Sequence, residues 1–177
     1  MRKVEITPYN QAWPSMFEEE AKKLCRIFES EIIEIYHIGS TSVEGLLAKP
    51  IIDIMPVVRN IDRIDDFNNA MIDSGYEAKG ENGLPGRRYF QKGGEERTHH
   101  IHFYEAGNSE IGRHLAFRDY LRSHPGAAEE YSNLKKELSQ HFPYDIEAYI
   151  SGKERLVSEI EKKAMTWYQR TIQSMFL

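Results

Sequence analysis

The chain has one cysteine, Cys25, in 177 residues. A lone thiol excludes an intrachain disulfide and a zinc cluster built on thiolates. No apolar run is long enough to cross a bilayer, and no N-terminal stretch has the build of a secretory signal. Positive charge is also in short supply: 23 Lys and Arg against 28 Asp and Glu leave a net charge of −5. A nucleic-acid binder needs a basic face to neutralise phosphates, so nucleic acid is not the expected partner. Internal repeats, low-complexity tracts and linker-like stretches are missing too. These absences predict one domain over residues 1–177, in the cytoplasm and off the membrane. With 40% hydrophobic and 29% charged residues, the chain can bury a core of its own.

What is present is concentrated in residues 32–58, IIEIYHIGSTSVEGLLAKPIIDIMPVV. Ile32 to Ile38 is β-branched and aromatic and reads as a strand. Gly39 permits a sharp turn, and Ser40, Thr41 and Ser42 are good caps for a short helix over Val43 to Ala48. Pro50 ends that helix, and Ile51 to Val58 is a second strand with one charge, Asp53. A carboxylate in a buried strand needs a reason. One is chemical: a Gly-Ser turn that opens a helix offers amides and hydroxyls to a phosphate, and an adjacent carboxylate can hold a divalent cation against it. The other is structural: an ordinary connection, with Asp53 capping a turn or paired with an arginine.

The flanking segments alternate in type. Val4 and Ile6 predict a short strand over Arg2 to Thr7. Trp13, Phe17, Leu24 and Phe28 give a helix its apolar stripe, with Pro14 in the first turn and Cys25 as a small core residue. A helix is expected over Asn60 to Ser74, capped by Asn60 and stopped by Gly75. Its acids Asp62, Asp65 and Asp66 suit the positive end of the helix dipole. Arg87 to Lys92 reads as a strand with Arg88, Phe90 and Lys92 on one face and Arg87, Tyr89 and Gln91 on the other. Thr98 to Glu105 is another, with His100, His102 and Tyr104 sharing a face. Two imidazoles at i and i+2 on a strand can chelate one metal. Helices follow over Ser109 to Ser123, from Pro125 to His141, and after Gly152. His114, Arg118 and Arg122 fall on one stripe, either a phosphate-facing ridge, a solvated face, or partners for carboxylates such as Asp119. Strands early and helices late predict an α+β fold: a mixed sheet with flanking helices and a helical C-terminal half.

The run HIGSTSVEGLLAKPIIDI resembles the signature of the GrpB family, and RRYF, HHIH and RHLAFRDYLRSHP are similar to that family as well. The family is assigned to the nucleotidyltransferase superfamily, with a DNA polymerase β-like fold. That resemblance implies a catalytic Asp53 that binds Mg²⁺ or Mn²⁺, or another divalent transition metal. It implies a nucleoside triphosphate held by Gly39, Ser40, Thr41 and Lys49, with Arg88 or Lys92 neutralising phosphate charge, and a nucleotidyl group passed to an acceptor that the residues do not name. The superfamily places a second carboxylate two residues after the first, where this chain has Met55. A further metal-holding group would then come from His100, His102 or Glu44. Two alternatives stand beside this reading: a nucleotide-binding module without turnover, and a single-metal enzyme built on Asp53, His100 and His102.

Overall fold

A computed structural model describes residues 2–175. Helix α1 (Trp13–Phe28) carries Pro14 in its first turn, where a missing N–H costs nothing, and buries Trp13, Leu24 and Phe28. Strand β1 (Ile32–Ile38) pairs antiparallel with β2 (Ile52–Val58). A 3₁₀ segment (Ile61–Phe67) and helix α2 (Asn68–Asp73) lead to β3 (Tyr76–Ala78), β4 (Arg87–Lys92) and β5 (His99–Glu105). The sheet order is β1-β2-β5-β4-β3, and β2 with β5 is its parallel pair. Helices α3 (Ser109–Ser123), α4 (Pro125–His141) and α5 (Ile146–Met175) complete the chain. The architecture is α+β: a five-stranded mixed sheet, flanking helices and a helical C-terminal half. No helix among the described residues is long and apolar enough to cross a membrane.

Period-two alternation sorts the sheet into two faces. Ile52, Ile54, Ile101, Phe103 and Phe90 turn toward α1, where they pack with Leu24, Phe28 and Trp13. The other face presents Asp53, Met55, His100, His102 and Tyr104. Part of it is roofed by α3, whose Ile111 and Leu115 pack on Ile38, Met55 and Tyr104. Helices α4 and α5 reach the sheet through the connection after β1: Val43 and Leu46 pack with Leu121, Tyr131 and Ile160.

Several expectations are corrected. Residues 43–48 form no helix. Only Ser40–Ser42 makes a 3₁₀ turn, Gly45 sits at φ +85°, and the amides of Leu47 and Ala48 bond Ser132 Oγ and Thr7 O. Those partners lie far away in sequence and draw the segment out. Arg2 to Thr7 contributes one bridge, Thr7 to Ala48, rather than a strand. Asn60 caps its segment through the Asp62 amide as expected, but 3₁₀ geometry takes the first half. Cys25 is exposed, not in the core. Helix α5 begins at Ile146 and runs through Gly152, whose missing side chain makes room for Leu138: a Cβ there would lie 2.5 Å from Leu138 Cδ2.

One polar knot ties α1 to the sheet. Glu20, 4% exposed, accepts from the Tyr76 hydroxyl and lies 2.9 Å from Lys92 Nζ and 3.9 Å from His99 Nε2. Burial raises the pKa of this carboxyl, but the Tyr76 and Lys92 hydrogen bonds outweigh burial and leave it below its ordinary 4.5. A carboxylate depressed in the folded state adds stability that is present above the unfolded value and lost as pH falls through the folded one. Urea unfolding from pH 7 down to 3 is therefore expected to show a decline below about pH 4.5. Glu20→Gln should cost about 2 kcal/mol at pH 7 and flatten that decline.

Candidate functional site

Asp53 stands opposite His100 across the parallel β2–β5 pair, while His102 stands opposite Tyr89 of β4. Shared parity brings all four to one face. His102 Nε2 lies 3.1 Å and His100 Nδ1 3.4 Å from the same oxygen, Asp53 Oδ1. Burial alone would raise the Asp53 pKa, but hydrogen bonds and charge from the two histidines reverse that and hold it well below the usual carboxylate range. The other oxygen, Oδ2, rests against the turn. Gly39 has φ +73°, and a Cβ there would fall 2.6 Å from Oδ2. Only glycine lets the backbone turn left-handed and pass that close to the carboxylate.

Asp53, Ser40, Thr41, Lys49 and His100 line a cavity of ≈ 420 Å³ whose wall is completed by residues of α4 and α5. Five cationic side chains converge on it: Arg2, Lys49, Arg97, Lys135 and Lys153. Asp53 is its one acid among the described residues. Lys135 is the most deeply set, 2% exposed, with Nζ donating to Ser40 Oγ (2.7 Å) and Leu47 O (2.6 Å). Burial, aided by Lys153 and Lys49, drives its pKa well below the ordinary lysine value. Lys49 is pushed down to about 8, by burial first and then by Lys153 and Arg2. Tyrosine rings offset part of that cost: Lys135 Nζ sits 4.2 Å from the Tyr131 centroid and Lys49 Nζ 4.6 Å from that of Tyr149. Two hydrogen-bonding atoms of the cavity's lining residues, His100 Nε2 and the Tyr149 hydroxyl, are buried without a partner among the described residues. Cationic side chains crowded around one carboxylate repel one another, a repulsion that a polyvalent anion would relieve.

Gly39, Ser40, Thr41, Lys49 and Asp53 are thus brought together with His100 and His102. Arg88 and Lys92 are not. They point to the α1 side of the sheet, where Asp65 holds Arg88 at 2.8 Å and Glu20 holds Lys92 at 2.9 Å. Asp62 and Asp65 therefore serve an arginine as well as a helix end. Glu44 is exposed and lies outside the Asp53 cavity. The two histidines clamp one carboxylate oxygen, and no group of three His, Cys, Asp or Glu able to hold a metal ion is found among the described residues. Met55, 0% exposed, lies under α3 in the apolar cluster rather than in the cavity.

Lys135, Lys153, Arg97, Arg2 and Tyr149 escaped the sequence reading. A signal existed for two of them. Each lysine falls four residues after a buried tyrosine, Tyr131 and Tyr149, and so lies on the inward stripe of its helix.

The GrpB protein family model matches residues 3–163. The chain belongs to the GrpB family. This GrpB protein is 52% identical to UPF0157 protein YqkA of Bacillus subtilis over 94% of its own length, and it spans about half, 48%, of that relative. Its fold is similar to that of the conserved protein GrpB from Enterococcus faecalis, with a TM-score of 0.91 at 46% identity, covering 93% of this chain and 99% of that one. A more distant likeness joins it to the Cid1 poly(U) polymerase in an MgGTP-bound structure, with a TM-score of 0.50 at 16% identity over 75% of this chain and 44% of that one. That likeness is one of fold alone.

Proposed function

We propose that this GrpB protein binds a nucleoside triphosphate with Mg²⁺ or Mn²⁺ in the Asp53 cavity and transfers a nucleotidyl group to an acceptor hydroxyl. The observation that carries this reading is the set of five cations around one carboxylate at the Gly39–Ser40 turn, in a chain whose net charge is −5. Such a local reversal of charge fits a phosphate tail better than any neutral ligand. The recognition uses ammonium, guanidinium and hydroxyl groups: Lys135 bonded to Ser40, with Lys49, Lys153 and Arg97 in the same lining.

The residues fit one hard divalent ion and no more. Mg²⁺ is commonly held by one or two carboxylates plus substrate phosphates. Asp53 Oδ2 lies against the Gly39 turn, where the missing Cβ lets the two approach, and Asp53 would hold the ion together with a phosphate bound at Ser40. Bound there, the ion would neutralise phosphate charge as the α-phosphorus gains a bond to the acceptor oxygen and pyrophosphate leaves. The chain's own work is to hold the tail, fix Asp53 through His100 and His102, and shield the phosphates from water under α4 and α5.

Packed Met55 favours a second reading, a nucleotide-binding module without turnover, since no second carboxylate supports a second ion. Release of pyrophosphate from a labelled triphosphate in the presence of Mg²⁺ separates the two: the enzyme releases it, and the module only binds. Both readings share a pH signature. Lys49, with its pKa near 8, is protonated at pH 7 and neutral at pH 9, so affinity for ATP should drop about fivefold across that interval. Titration calorimetry at the two pH values checks this. In Lys49→Met the drop should shrink, and affinity that rises with pH counts against an anion site.

A further inference from the structure

A second cavity, ≈ 550 Å³, lies behind the Gly39–Ser42 turn, between α1, the edge strand β1 and α3. Its walls are aromatic. Phe17 stacks on His37 with ring centroids 5.0 Å apart and planes 11° apart, and Tyr9 and Tyr36 stand beside them. Burial keeps His37 neutral at pH 7, with its pKa lowered to about 4. One end of the cavity is cationic. Arg118 spends Nε on Asp119 (2.8 Å) and Nη1 on His37 O (3.2 Å). Arg122 anchors Nε on Ser42 O (2.9 Å), and its Nη1 lies 3.9 Å from Asp119, beyond hydrogen-bonding reach. The two guanidinium groups share one carboxylate, so the outer edge of Arg122 is held in place and open to a ligand. The lining also holds two exposed acids, Glu18 and Glu44.

We propose that this cavity is a second ligand site, for a small molecule that joins a flat ring to one anionic group, the ring against Phe17, His37 and Tyr36 and the anion on Arg122 and Arg118. The volume suits a small ligand. Planar rings gain from stacking on aromatic walls, and a guanidinium fork matches a phosphate or carboxylate. Glu18 and Glu44, the two acids of the lining, repel an anion and so leave the arginines as its partners. The site is separate from the nucleotide cavity, since neither arginine lines the latter, but Thr41 lines both. Its hydroxyl bonds Ile51 O (3.3 Å) on one side and faces His37 Nε2 (2.9 Å) on the other. The ridge of His114, Arg118 and Arg122 thereby resolves: the two arginines serve this cavity, while His114 packs on His102 and Tyr104.

Calorimetry on the full chain tests the proposal with AMP and phenyl phosphate, against adenosine and inorganic phosphate as the separate parts. AMP and phenyl phosphate should each bind at least tenfold tighter than either part. Arg122→Gln should weaken phenyl phosphate at least tenfold, and Arg155→Gln, outside both cavities, should leave it unchanged. Glu44→Gln, at an exposed position, should tighten it about twofold at low salt, a gain that a damaged fold cannot produce. Phosphate alone binding as well as phenyl phosphate would overturn the proposal. So would affinity kept in Arg122→Gln, or no binding of either ring-bearing probe at millimolar concentration.

Discussion

Asp53→Asn is expected to reduce Mg²⁺-dependent pyrophosphate release by about 10³-fold or more, which is ~4 kcal/mol of lost transition-state stabilisation. The same substitution should tighten metal-free tripolyphosphate measured in EDTA. The signs differ because Asp53 has two relations to a phosphate chain. With an ion between them it attracts, and without one it is the single like charge in a cavity of five cations. Asparagine keeps the shape and an oxygen that can accept from His102, so the β2–β5 register and the cavity should persist. Lysine substitutions in the cavity weaken both measurements together, so a variant that separates them isolates the role of the carboxylate. Should both affinities fall in parallel, Asp53 is a structural anchor for the histidines, and the nucleotidyl reading loses its metal-holding group.

Much of this arrangement was legible because strand parity is a strict rule. The alternation in IIEIYHI and HHIHFYE placed His100, His102 and Tyr104 on one face, and the observed register agrees. The turn at Gly39 and the helix over Ser109–Ser123 also followed from local chemistry. Strand β4 shows where local rules stop. Both of its faces carry cations, Arg87 on one and Arg88 and Lys92 on the other, so its pattern cannot say which face looks at Asp53. Partners far away in sequence, Asp65 and Glu20, decide it by holding Arg88 and Lys92 on the α1 side. Residues 43–48 failed for a related reason. Their helix propensity is overridden by bonds to Thr7 and Ser132 that no local window contains. Lys135 was hardest to see, because a lysine on an amphipathic helix usually reaches solvent, and only the meeting of α4 with the Ser40 turn buries this one.

Met55→Asp restores the acidic pair of the superfamily on paper, and it is expected to destabilise the protein rather than activate it. Met55 is 0% exposed and packs with Ile38 and Tyr104 beneath Ile111 and Leu115 of α3. A carboxylate introduced there enters an apolar cluster, and the Tyr104 hydroxyl, buried without a partner among the described residues, compensates it only in part. An uncompensated buried charge costs roughly 3–5 kcal/mol, against about 1–3 kcal/mol for one satisfied hydrogen bond. A net loss of about 3 kcal/mol should lower the melting temperature by about 10 °C in a chain of this size. Met55→Leu, which conserves volume and polarity, should stay within about 1.5 kcal/mol of the parent. The comparison to make is thermal unfolding at pH 7 alongside pyrophosphate release. A Met55→Asp protein as stable as the parent and faster in turnover would mean that α3 lifts off this face to admit a second ion, and that the roof over Met55 is a movable part of the site.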